Sequence, residues 1–130
     1  MTTTILSCAA ILTALLFVLC IRTSMARGKA GDNQFPTAPD DPLLVAIRAH
    51  GNAAENIPIM VALLLFIGSH PDPALWMAIV AVIATVARFL HAIGVITEGD
   101  MSKENTLRFV GAVLSALSGL AMAAAVVVLI

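Results

Sequence analysis

A chain of 130 residues that is 60% hydrophobic and 12% charged, with a mean hydropathy of +1.00, cannot cover itself with a polar surface; soluble domains carry about 25% charged residues. The composition is that of an integral membrane protein. A net charge of -1, with no basic patch and no interleaving of aromatic and basic residues, excludes nucleic acid as a partner.

A spanning helix needs about 20 mostly apolar residues. The first run is TILSCAAILTALLFVLCI, 4–21, which holds both cysteines, Cys8 and Cys20, as apolar residues. No basic stretch precedes it, so it reads as a retained membrane helix rather than a signal peptide. Residues 22–42 are rich in Gly, Pro and Asp and predict a polar loop carrying Arg22, Arg27 and Lys29. The second run, about 43–68, contains the polar stretch RAHGNAAENIP, and SHPDP at 69–73 predicts a tight turn after it. The third run, about 74–96, is interrupted by Arg88 and His91. The fourth, about 107–130, is apolar beyond Arg108 and repeats Gly111, Ser115, Gly119 and Ala123 at every fourth position. Such a small-residue stripe lets helix backbones approach closely. The expected fold is an all-α membrane protein, a four-transmembrane-helix bundle forming one domain over residues 1–130.

Four runs place both termini on one side. Arg22, Arg27, Lys29, Lys103 and Arg108 gather at the first and third loops, and Arg48 and Arg88 lie in the nearer halves of their helices. The positive-inside bias therefore predicts cytoplasmic first and third loops and non-cytoplasmic termini, with Trp76 at the outer interface.

The polar stretch has a helical period. Arg48, Asn52 and Glu55 fall at i, i+4 and i+7 on one face, Asn56 borders it, and His50 points elsewhere. Pro58 deprives the Ala54 carbonyl of its helical partner. A charge within the membrane costs about 2.5–3.5 kcal/mol on insertion scales, so these groups must face inward and pair. An Arg88–Glu55 ion pair between the second and third helices is expected. As a ligand site, Arg27, Arg48 and Arg108 suit carboxylates, Glu55 suits an amine and Asn52 a peptide amide. An amino-acid-like or peptide ligand reached from the cytoplasmic side fits that set, with a second, apolar substrate entering from the bilayer. No metal site is expected.

RAHGNAAENIP resembles the Arg-x-x-x-Asn-x-x-Glu-x-x-Pro signature of the membrane-associated proteins in eicosanoid and glutathione metabolism, the MAPEG family. ARFLHAIG, 87–94, is similar to that family's third-helix segment. The resemblance covers helices two to four, and helix one by hydropathy alone; it is nearest to small bacterial-type members, which implies a multi-pass protein of the bacterial inner membrane. It implies a homotrimer of four-helix subunits with glutathione, as co-substrate, bound between neighbours. It also implies conjugation to lipophilic electrophiles or reduction of lipid hydroperoxides, although some members bind lipid without catalysis. Carried over by position, Arg48, Asn52 and Glu55 contact glutathione, and Arg27 helps hold its carboxylates. Arg108, in LRFVGAVLSA, resembles the arginine that activates the thiol in the leukotriene-forming synthase, and so stands as the catalytic candidate. The chain contains no tyrosine. The family's synthases have tyrosine where Asn56, His91 and Val95 stand here, and His91 is the residue expected to supply a polar contact in place of one of them. Two alternatives accompany this reading. One is a non-catalytic lipid- or glutathione-binding protein of the same fold. The other is a small four-helix multidrug exporter, disfavoured because such exporters carry a glutamate in the first helix, which here is uncharged between its ends.

Overall fold

A computed structural model describes all 130 residues. It contains four helices and no strands: α1 (Thr2–Ala30), α2 (Pro42–Ser69), α3 (Leu75–Glu98) and α4 (Thr106–Leu129). At about 1.5 Å per residue the two shortest, 24 residues each, reach about 36 Å, enough for a hydrocarbon core of about 30 Å. All four are long and apolar enough to cross a membrane. The chain is a multi-pass integral membrane protein.

Helix α1 packs mainly on α2, and α3 on α4. Contacts of α3 with α1 and of α2 with both α3 and α4 join the two pairs, while α1 and α4 do not meet. The core is aliphatic: Ile5 and Leu12 of α1 and Ile57 and Leu64 of α2 are each 0% exposed. The outer face is equally apolar. Phe17, Ile21, Phe109, Leu120, Val127 and Val128 are all 60% or more exposed, a surface that only a bilayer or another apolar partner satisfies.

The first helix runs nine residues past its expected end at Ile21, so 22–30 is helix rather than loop. Hydropathy marks the edge of the bilayer, and no helix breaker lies there. Thr23 Oγ1 is 3.0 Å from both the Leu19 and the Ala46 carbonyl oxygens, so its one proton ties the extension to its own helix and to α2. Arg27 and Lys29 sit in the last turn, where cations complement the helix dipole. The helix stops at Gly31, whose φ of 58° suits glycine.

The remaining ends follow local chemistry. Asp41 caps α2, accepting from the Leu43 N–H at 2.7 Å, with Pro42 in the first turn. Helix α2 continues through Pro58. Asn105 caps α4 by accepting from the Arg108 N–H at 3.0 Å. Between α3 and α4, Asp100 accepts from the Ser102 backbone and hydroxyl at 2.9 and 2.7 Å and pairs with Lys103 at 3.5 Å. Those contacts, the Ser102 hydroxyl first, hold the Asp100 carboxyl below the usual aspartate range. The Met101 N–H donates to the Pro39 carbonyl at 2.8 Å, which clips loop 99–105 to loop 31–41 at the same end of the bundle.

The small-residue stripe of α4 is only half buried. Gly111 and Ser115 face α3, but the seam continues through Ser118, Met122 and Ala125 rather than Gly119 and Ala123. A strict four-residue repeat drifts by about 40° per step around a helix of 3.6 residues per turn, so its later members rotate out of the contact.

Candidate functional site

At the end of the bundle that carries loops 31–41 and 99–105, α3 and α4 cross with almost no side chain between them. Two glycines make this possible, and the arrangement is reciprocal. A Cβ on Gly94 of α3 would strike the Arg108 backbone nitrogen and lie 2.9 Å from Arg108 Cα. A Cβ on Gly111 of α4 would strike the His91 backbone nitrogen and lie 2.8 Å from His91 Cα. Each functional candidate is therefore held by the glycine opposite it. The His91 ring adds a third tie, with Nδ1 3.0 Å from the Arg108 carbonyl oxygen.

This crossing forms one wall of a cavity of about 880 Å³. Helix α2 supplies Arg48, Asn52 and Glu55, α1 supplies Arg27, α3 supplies His91 and α4 supplies Arg108. All six residues assigned to a polar site from the sequence thus line one space. Arg27, Arg48 and Glu55 are exposed, Asn52 and Arg108 half-buried and His91 buried at 7%. Three guanidinium groups against one carboxylate leave the cavity cationic, suited to an anionic ligand with polar groups along its length. Arg108 is partly committed, since its Nη2 donates to the Lys103 carbonyl at 2.6 Å. On the other side of the first turn of α4, His91 and Arg108 also line a second crevice of about 630 Å³ with Phe109 and Ala112. Phe109 is 69% exposed, so this crevice opens toward the lipid-facing surface.

Arg88 corrects the expected ion pair. It is 1% exposed, donating Nη2 to Asn52 Oδ1 at 2.7 Å and Nη1 to Ser115 Oγ at 3.5 Å, while Nε has no partner. Glu55 is exposed, and the one salt bridge of the chain is Lys103–Asp100. The reason is rotational. Glu55 is about 60° around the α2 axis from Asn52, at about 100° per residue, and Asn52 is the member of the stripe turned toward α3. Asn52 lies ten residues from Pro42, and Arg88 lies ten residues from Glu98; each is thus about 15 Å into the membrane from the loop end.

Several contributors carry no sequence signal. Gln34, Phe35, Pro36 and Thr37 of the first long loop line the cavity, and Leu44, Ile47 and Met101 give it apolar walls, beside Val95, which the resemblance had already marked. Phe35, 90% exposed, is the one residue there whose type hints at a rim. Asn56 does not line the cavity; its Nδ2 donates to the Asn52 carbonyl at 2.8 Å, within its own helix.

A family model, that of the MAPEG family, matches residues 5–128. No curated protein and no solved structure matches the chain.

Proposed function

The chain belongs to the MAPEG family, and from that premise we propose that it is a glutathione-binding membrane protein, a transferase or peroxidase acting on lipophilic electrophiles. The observation that carries the reading is the convergence of Arg27, Arg48, Asn52, Glu55, His91 and Arg108 on one cavity. Glutathione presents carboxylates at two ends, an amine, two peptide amides and a thiol. In this proposal Arg27 and Arg48 hold carboxylates, Glu55 takes the amine, and Asn52 bonds an amide. The buried Arg88 holds the Asn52 oxygen, which leaves the Asn52 NH2 group free to donate. Arg108 stabilises the thiolate that attacks the second substrate. The crevice beside Phe109 supports entry of that substrate from the bilayer.

The functional unit we propose is a homotrimer. Its support is that Arg48 and Glu55 are exposed on a single protomer, although Glu55 lies thirteen residues, about 20 Å, beyond Pro42. An ionisable group at that depth belongs inside an assembly rather than against lipid. We place the cavity on the cytoplasmic side of an inner membrane, following the cations at that end of the bundle: Arg22, Arg27 and Lys29 in the last turns of α1, Lys103 in loop 99–105 and Arg108 in the first turn of α4.

One observation favours the non-catalytic alternative. Asn56, which stands where the family's synthases carry tyrosine, is turned onto its own helix, and the chain has no tyrosine to replace it. Family membership weighs against the exporter. Calorimetric titration of the purified protein with glutathione, followed by conjugation to a generic aromatic electrophile, tests the reading. Turnover supports the transferase, binding without turnover supports the non-catalytic glutathione-binding protein, and no binding overturns both and leaves only the lipid-binding form of the alternative. Arg48→Ala removes a charge-assisted contact of about 1.5–3 kcal/mol and should weaken binding about 10- to 100-fold.

A further inference from the structure

We propose that His91 is the group that takes the thiol proton, an inference that rests on the thiol co-substrate proposed above. The tautomer follows from the contact with α4. A carbonyl oxygen only accepts, so Nδ1, 3.0 Å from the Arg108 oxygen, carries a hydrogen, and in the neutral ring the lone pair sits on Nε2. Nε2 has no hydrogen-bond partner, yet it is not among the buried unpartnered atoms, which are Arg22 Nη1 and Arg88 Nε. It therefore keeps accessible surface. The ring lines both the polar cavity and the crevice beside Phe109, which is where a polar thiol and a lipid-borne electrophile would meet. The reciprocal glycine crossing fixes its backbone.

The other candidates are poorer bases. Guanidinium groups have no lone pair to offer, so Arg27, Arg48 and Arg108 stabilise a thiolate without creating it. Glu55 is the other acceptor in the polar cavity. It does not line the crevice beside Phe109, whereas His91 borders both spaces. The charged groups around His91 are Arg88 on its own helix, Arg108 on α4, Glu104 at the crevice, Arg48 and Glu55 on α2 and Arg27 on α1.

The step balances within the site. The S–H bond breaks, its electron pair stays on sulfur, and the proton moves to Nε2, leaving an imidazolium–thiolate pair of the kind that lowers cysteine pKa values. The thiolate then forms a C–S bond to the electrophilic carbon, the leaving group departs with its bonding pair, and the imidazolium returns its proton to solvent.

The test needs no variant at first. Glutathione is titrated into the intact protein in detergent, with thiolate followed by ultraviolet absorbance and proton release followed by calorimetry in buffers of different ionisation enthalpy. The thiolate band should appear with well under one proton released per thiolate, because His91 keeps it. One proton released for each thiolate overturns the proposal, since the base is then bulk water. His91→Asn, which keeps an N–H near the Nδ1 position, and His91→Gln should still bind glutathione. Both should conjugate on the order of 10²-fold more slowly at neutral pH, recovering as pH rises. If both variants bind and show wild-type thiolate absorbance and pH profile, His91 is not the base and the glutathione reading stands. If the wild-type protein does not bind glutathione, both readings fall.

Discussion

Arg88→Met separates two accounts of a guanidinium in the middle of α3. Arg88 is 1% exposed, and its partners are the neutral dipoles of Asn52 and Ser115 at 2.7 and 3.5 Å. Removing the cation strands no countercharge. Ser115 keeps its bond to the Gly111 carbonyl at 2.7 Å. Asn52 loses a donor, which costs about 1–3 kcal/mol when the acceptor is buried and lies at the low end here because Asn52 is half-buried and faces the cavity. Against that stands relief of an intramembrane charge, about 2.5–3.5 kcal/mol on insertion scales. Methionine is unbranched and adapts to the vacated space. The variant should therefore range from unchanged to about 2 kcal/mol more stable. An Arg88–Glu55 pair would behave oppositely, because losing one partner of a buried pair costs about 3–5 kcal/mol. Trp76, the one tryptophan, lies in the first turn of α3 and reports unfolding in a denaturing-detergent titration. A loss of about 3 kcal/mol or more refutes the assignment of Asn52 as the partner. The same variant should raise the glutathione Kd about tenfold, equivalent to about 1.4 kcal/mol, because the Asn52 amide loses the contact that orients it.

Gly111→Ala should destabilise by about 1–3 kcal/mol through overpacking, since its Cβ would lie 2.8 Å from both the Ala87 carbonyl oxygen and His91 Cα. Gly119→Ala, with nothing within 4 Å, should be neutral or slightly stabilising when both variants are compared by thermal melting, and equal effects at both positions would contradict the crossing described. The loop between α3 and α4 carries a pH dependence. The folded pKa of Asp100 is depressed, chiefly by the Ser102 hydroxyl, so its contribution is present above the ordinary aspartate value and disappears as pH falls through the folded one. Asp100→Asn should flatten that acid limb of the melting profile, and an unchanged limb would dismiss the loop as its source.

How much of the fold was legible depends on what hydropathy measures. It located four runs because each spanning helix must present apolar side chains to lipid on nearly every face, and α2, α3 and α4 begin and end within a few residues of those runs. It misplaced the end of α1, because helix and bilayer have separate boundaries. Residues 22–30 are polar enough to leave the hydrocarbon, yet Thr23 and the α2 contact keep them helical. The α4 stripe shows the same limit. Gly111 was legible as a close-approach residue, but a count of every fourth residue carried the reading on to Gly119 and Ala123, where the helix has already turned away.

The site was legible as a face and illegible as a set of partners. Periodicity alone aligned Arg48, Asn52 and Glu55, and the cost of intramembrane charge required that something answer them. Which member of a stripe meets which residue across the helix pair depends on rotation about the α2 axis, and the sequence does not encode that angle locally. Charge complementarity alone pairs Arg88 with Glu55. The packing instead gives Arg88 the neutral Asn52 and leaves Glu55 exposed toward the cavity. For binding, this is the more useful arrangement. A carboxylate neutralised inside the bundle has nothing left for a ligand, whereas an Asn oxygen fixed by a buried cation leaves its amide hydrogens free to donate. The ion pair would have spent the polar stripe on stability, and the observed pairing keeps both Glu55 and the Asn52 amide for whatever enters the cavity.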